Sequence, residues 1–139
     1  MDAIKVAIDN IEAFSAGNWE EFQAGLSSDS IYEEPATQRR VQGASQIAGA
    51  VQGWKQAFPD ARGTVKNALE SDGTVTLEIT WEGTQSGPLE GPGGAIPASG
   101  NRISVEAVQV VKVEDDKIVQ NRHFFDMLGL LQQIDAVPR

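Results

Sequence analysis

The sequence predicts an α+β fold in which helices lead the chain and pack on one face of a curved antiparallel sheet. Three observations predict it. Apolar residues recur every three or four positions in the first sixty residues, they alternate with polar ones afterwards, and the turn signals Ser71-Asp72-Gly73-Thr74 and Glu114-Asp115-Asp116-Lys117 fold the alternating part into hairpins. A length of 139 residues suits one domain spanning 1–139, able to bury roughly two-thirds of its unfolded surface and still leave a pocket.

In order along the chain, Ile4, Ile8, Ile11 and Phe14 share one helical face, and Gly17-Asn18 stops that helix. Trp19, Phe22 and Leu26 form a shorter stripe with Asn18 as N-cap. Ser27 to Ser30 reads as a polar break, and Ile31-Tyr32-Glu33-Glu34 before Pro35 as a short extended segment, since a residue preceding proline avoids the helical region. Gly43 opens a helix carrying Ile47, Val51, Trp54 and Phe58, which Pro59-Asp60 ends. A strand over 62–69 follows, and Val75, Leu77, Ile79 and Trp81 then alternate with polar residues as in a half-buried strand. Ser86 to Gly100, with five glycines and three prolines, is expected to lack regular structure and to act as a flap or mouth. Val105–Val113 and Ile118–Phe125 are the last strands. Asp126 then precedes a helix whose stripe is Met127, Leu130, Leu131 and Ile134.

Composition excludes several classes of function. The chain has 20 acidic and 11 scattered basic residues, a net charge of -9, and so no cationic patch for nucleic acid. Without cysteine there is no disulfide, thiolate metal site or cysteine nucleophile, and the single histidine, His123, rules out a histidine-rich metal site. No basic start with an apolar run marks a signal peptide, and no stretch approaches the roughly 20 apolar residues of a membrane span. A cytoplasmic protein is expected. Gly91-Pro92-Gly93-Gly94 lacks the following helix and Lys-Ser/Thr of a phosphate-binding turn.

Several segments, in order and spacing, resemble the SnoaL-like polyketide cyclase, or ester cyclase, family of the nuclear transport factor 2-like superfamily. They are Val41-Gln42-Gly43, Phe58-Pro59-Asp60, Gly83-Thr84-Gln85-Ser86-Gly87, Ala98-Ser99-Gly100-Asn101-Arg102, Asp116-Lys117-Ile118-Val119, and Asp126-Met127-Leu128-Gly129-Leu130-Leu131-Gln132-Gln133. The resemblance implies a cone-shaped α+β barrel with an apolar pocket, and an aspartate at position 126 acting as general acid/base in an aldol cyclisation without metal or cofactor. It also implies pairing into a homodimer. The chain departs from the family pattern at Gln85, where a histidine is usual, at Arg122, where an aromatic residue is usual, and at Ile134-Asp135, where Leu-Gly is usual.

Asp126 is therefore the first candidate site residue. An aspartate ahead of a helical stripe is also a preferred N-cap, and the two roles coexist only if one carboxylate oxygen faces the pocket. One carboxyl group in an apolar pocket can remove a proton beside a carbonyl and return one to the new alkoxide. Arg122, four residues earlier on the same strand face, would keep it ionised or lock it in an ion pair. His123 falls on the opposite face unless a bulge intervenes, and stands as a second acid/base group. Gln109, or Glu106 on the other face of the same strand, could hydrogen-bond a carbonyl or enol oxygen. Tyr32, Trp54, Phe58, Trp81 and Phe124 are expected around the cavity and favour a flat, apolar or aromatic small molecule. Two other functions stay open: a non-catalytic small-molecule-binding protein, and an enzyme of ketosteroid isomerase or epoxide hydrolase type.

Overall fold

A computed structural model describes residues 2–91 and 93–138. The N-terminal layer is α1 (Ala3–Ala16), capped by the Asp2 side chain and closed by Gly17, with α2 (Trp19–Ala24), capped by Asn18. Then come β1 (Leu26–Glu34), a 3-10 turn at Pro35–Thr37, β2 (Arg39–Gln42) and α3 (Ala44–Ala57). The remainder is β3 (Arg62–Ser71), β4 (Thr74–Thr84), β5 (Leu89–Gly91), β6 (Gly94–Ile96), β7 (Arg102–Glu114), β8 (Lys117–Phe125) and α4 (Met127–Gln133).

Six strands form one sheet in the order β2-β1-β8-β7-β4-β3, and all neighbours run antiparallel except β1 and β8. That parallel pair sets the strand that follows the helices beside the last strand of the chain, and the polar run Ser27–Ser30 lies within β1 where the pairing shifts register, between Leu26 opposite Ile118 and Ile31 opposite Gln120. β2, which the sequence pattern did not reveal, covers the edge of β1. The β3–β4 turn has positive φ at Asp72 and Gly73, and the β7–β8 turn at Asp115 and Asp116, as tight hairpins with the right-handed strand twist require.

Strand parity builds the core. Val75, Leu77, Ile79 and Val111 are fully buried, packed with Ile11, Ile47 and Val51 from the helices. On α1 the deepest positions are Ala3, Ala7, Ile11 and Phe14, while Ile4 and Ile8 pack at the flank; the alanines let the helix axis approach the sheet. A second cluster joins Phe58, Leu89, Ile103, Val105, Leu130 and Ile134, and so ties the β5–β6 hairpin and α4 to the start of β7.

The glycine- and proline-rich stretch is thus partly regular, because backbone pairing of β5 with β6 and burial of Leu89 offset the poor local propensity. Pro92 lies outside the described residues. Gln85 secures the segment from inside: Nε2 donates to Ile96 O (3.4 Å) and Pro97 O (3.1 Å), and Oε1 accepts from Ser99 N (3.0 Å). Gln85→Ala should lower the unfolding free energy by roughly 1–3 kcal/mol, because buried backbone groups lose their partner. Urea unfolding would measure this, and limited proteolysis should show cleavage between 86 and 100 appearing with it.

Candidate functional site

The inner face of the sheet and the helices enclose a cavity of about 90 Å³. Strand alternation decides which side chains reach it. On β8, Asn121, His123 and Phe125 point inward, and Arg122 and Phe124 point out. Register then sets Gln109 of β7 beside His123, and Tyr32 of β1 beside Asn121. The helices supply Ile11, Phe14, Phe22, Val51 and Trp54, while Phe58, Trp81, Ile103, Val105 and Leu130 complete an apolar wall.

A chain of hydrogen bonds runs from this wall into the protein. The Trp81 indole N–H donates to His123 Nε2 (3.1 Å), His123 Nδ1 lies 2.9 Å from the Tyr32 hydroxyl, and that hydroxyl donates to Glu34 Oε2 (2.5 Å). An indole nitrogen only donates, so Nε2 must accept and the neutral ring carries its proton on Nδ1. The directions then agree along the whole chain: indole to imidazole, imidazole to phenol, phenol to carboxylate.

Glu34 is fully buried and ends the chain as an anion. Oε2 also accepts from Trp54 Nε1 (3.1 Å), while Oε1 accepts from Thr37 Oγ1 (2.7 Å) and pairs with Arg39 (3.3 Å). Burial alone would raise its pKa, but the bonds from Tyr32 and Thr37, the Arg39 charge and the Trp54 bond outweigh that and lower it. Burial and the Glu34 charge push the Tyr32 phenol well above its usual value, so it stays a neutral donor. Burial lowers His123 to about 4, against a smaller upward pull from Glu34, so the imidazole is neutral at pH 7.

Gln109 and Asn121 form a second polar pair, Asn121 Nδ2 donating to Gln109 Oε1 (3.1 Å). Asn121 Oδ1 is buried with no hydrogen-bond partner among the described residues, so this cavity-lining side chain keeps an unused acceptor. Among the described residues no group of three or more His, Cys, Asp or Glu side chains is arranged to hold a metal ion. No described helix is long and apolar enough to cross a membrane.

The structure corrects three of the site positions expected from sequence. Asp126 is exposed, its carboxylate accepts from Gly129 N (2.9 Å) as the cap of α4, and it borders a shallow outer depression with Glu78, Glu106 and Phe124. Arg122 is also outside, 3.9 Å from Glu33 and 5.0 Å over the Phe124 ring, with no ion pair to Asp126. Phe124 is half-exposed on that face and lines no part of the cavity. The reason is parity: an unbulged strand end sends 122 and 124 away from the side taken by 123, and Asp126 turns to its own helix. Tyr32, Trp54, Phe58, Trp81, Gln109 and His123 all lie on the cavity wall. Glu34 and Asn121 were missed, although each stands two residues from a recognised position, on the same strand face as Tyr32 and His123.

The family model described as SnoaL-like polyketide cyclase matches residues 5–134. No curated protein matches the chain in sequence. Among solved structures, IdmH from Streptomyces antibioticus, provisionally described as a polyketide cyclase, superposes with a TM-score of 0.82 at 21% identity, over 97% of this chain and 99% of its own. AclR from Streptomyces galilaeus, provisionally described as a hydroxylase, has a TM-score of 0.83 at 21% identity, over 99% of this chain and 83% of its own. An LEH-like epoxide hydrolase from M. tuberculosis has a TM-score of 0.74 at 17% identity, over 96% and 90%. These likenesses show the fold.

The buried imidazole makes stability depend on pH in a defined window. Its folded pKa of about 4 lies below the ordinary value of 6.5, so between those values the unfolded chain binds a proton that the folded chain refuses. Stability therefore falls as pH drops from 6.5 towards 4, by roughly 3 kcal/mol from this group. Urea titrations at pH 7 and 4.5 should show this loss largely absent in His123→Gln. Asp126→Ala should cost about 1 kcal/mol at either pH, the usual value of an N-cap, and alter nothing in the cavity.

Proposed function

The chain belongs to the SnoaL-like polyketide cyclase family, and on that premise we propose a cofactor-independent acid–base enzyme for a small apolar carbonyl compound, with His123 as the proton-transferring group. The observation that carries this reading is the uninterrupted chain from the cavity wall through His123 and Tyr32 to the buried Glu34 carboxylate. A neutral imidazole in an apolar cavity is a ready base, because no proton has to leave it first. When Nε2 takes a proton from carbon, the new positive charge is shared through Nδ1–H and the Tyr32 hydroxyl with the Glu34 anion. The same group then returns the proton to carbon or to an alkoxide, which suits an aldol cyclisation or an isomerisation. Gln109 and Asn121 offer hydrogen bonds to the substrate's oxygen or hydroxyl groups, and Trp54, Phe58 and Phe125 offer flat apolar contact.

A second reading, a non-catalytic carrier of a small apolar molecule, draws support from the engagement of both imidazole nitrogens in the resting site. The chain is also proposed to self-associate through the outer sheet face, where Phe124 is exposed.

Solvent deuterium incorporation into 2-indanone, a flat apolar ketone, followed by proton NMR, separates the two readings. His123→Gln should slow it by about 10²–10⁴-fold, the usual contribution of a general base, and Asp126→Asn should stay within about twofold of wild type. Equal rates in wild type and His123→Gln would sink the catalytic assignment.

A further inference from the structure

Two tryptophans of the cavity wall spend their only polar atom inside the hydrogen-bond chain, but on different ends of it. Trp54 donates to Glu34, and Trp81 donates to the base itself, at Nε2. The benzenoid edge of the Trp81 ring rests against Gly63. A Cβ at Gly63 would lie 2.7 Å from Cζ3 and 2.9 Å from Cη2 of the indole, so only glycine lets it rest there. Phe14 packs edge-on at 5.3 Å between centroids. Tyr32, the other hydrogen-bonding partner of the imidazole, already gives its proton to Glu34.

We propose that Trp81 is a second catalytic residue: its indole N–H leaves His123 Nε2 to bind the substrate's carbonyl oxygen, while the freed Nε2 faces a C–H on the adjacent carbon. The proposal rests on the assignment of His123 as base. In the resting site a donor faces an acceptor, and the guest that best replaces this contact brings an acceptor for the indole and a proton for the imidazole on neighbouring atoms. An enolisable ketone, flat and apolar elsewhere, has that pattern. In the step, the C–H bond breaks and its proton goes to Nε2. The electron pair becomes the C=C bond, the C=O π pair moves to oxygen, and the indole N–H holds the resulting enolate oxygen. Reversal returns a proton to the carbon, so no oxidant, reductant or co-reactant enters. Trp81 also serves as a guard, since it keeps Nε2 occupied until a carbonyl takes its place.

The test uses the full chain labelled with nitrogen-15 and two probes of one shape, 2-indanone and the hydrocarbon indane. The Trp81 indole signal is identified by its loss in Trp81→Phe. On adding 2-indanone that signal should move, and His123 Nε2 should lose the shift characteristic of an accepted hydrogen bond; indane should leave the pair intact. The ketone should bind at least about tenfold tighter than indane in wild type and equally in Trp81→Phe. Deuterium incorporation should fall by about 10²-fold in Trp81→Phe, as for loss of one oxyanion donor. Failure of the ketone to bind, equal binding of both probes in wild type, or a ketone preference kept by Trp81→Phe overturns the proposal. His123→Gln separates the two assignments. A Trp81 signal that still responds to the ketone, with exchange undiminished, would refute His123 as base and leave the carbonyl contact standing.

Discussion

The buried negative charge of Glu34 is the constraint on which the rest of the site depends. A carboxylate with no exposed surface survives ionised only where donors replace water, and Tyr32, Trp54, Thr37 and Arg39 supply four such contacts from β1, α3, the 3-10 turn and β2. Removing one partner of such a charge typically costs on the order of 3–5 kcal/mol. The elements bearing the donors are therefore locked to one another by electrostatics as well as by apolar packing. Tyr32 is held in one rotamer with its proton committed, and the orientation of His123 follows from that of Tyr32. Second-hand control of this kind fixes a tautomer without a charged group bonded to the imidazole.

How much of this was legible in the sequence depends on the kind of information required. Helical spacing, strand alternation and two aspartate-rich turns gave the α+β class, the hairpins and most of the apolar wall, because those signals are local. The parallel pairing of β1 with β8 was hidden, since it joins residues about ninety positions apart. Ser27–Ser30, read as a break, lies inside β1 at the register shift between Leu26 and Ile31, so the polar run marks an irregularity in the ladder and not the end of the strand. The hairpin inside Ser86–Gly100 was hidden for a related reason: Gln85 and Leu89 stabilise it through contacts that propensity does not contain.

Of the two acid/base candidates read on and beside β8, His123 lines the cavity and Asp126 caps α4 outside it. Asp126 and His123 were correctly put on opposite faces, but nothing local says which face is inside. The burial of Val111, Ala107 and Gln109 on the neighbouring strand answers that, and through the β7–β8 register it sends 121, 123 and 125 inward. Glu34 looked unremarkable as an acidic residue before a proline. Its parity with Tyr32, two residues away on a strand, was available as a signal. What the sequence could not supply was Trp54 and Arg39 converging on it, and without those donors a buried glutamate would have been an implausible assignment.

The arrangement also suits the proposed base being a histidine rather than an acid. A carboxylate projecting into an apolar hollow would have to choose between protonation, which removes its basicity, and ionisation, which puts an uncompensated charge beside a hydrophobic guest. Here the two requirements are assigned to different residues. Glu34 keeps the charge, held by four contacts behind Tyr32 and Trp54, and His123 presents a neutral ring at the wall, its Nε2 engaged by Trp81. The cost is a weak base, since burial lowers the imidazole to about 4. In the proposed proton transfer it is offset, because the imidazolium then faces Tyr32 and, through it, the Glu34 anion. The proposed reaction thus develops charge only after binding, which is the order of events that an enolisable, otherwise apolar substrate demands.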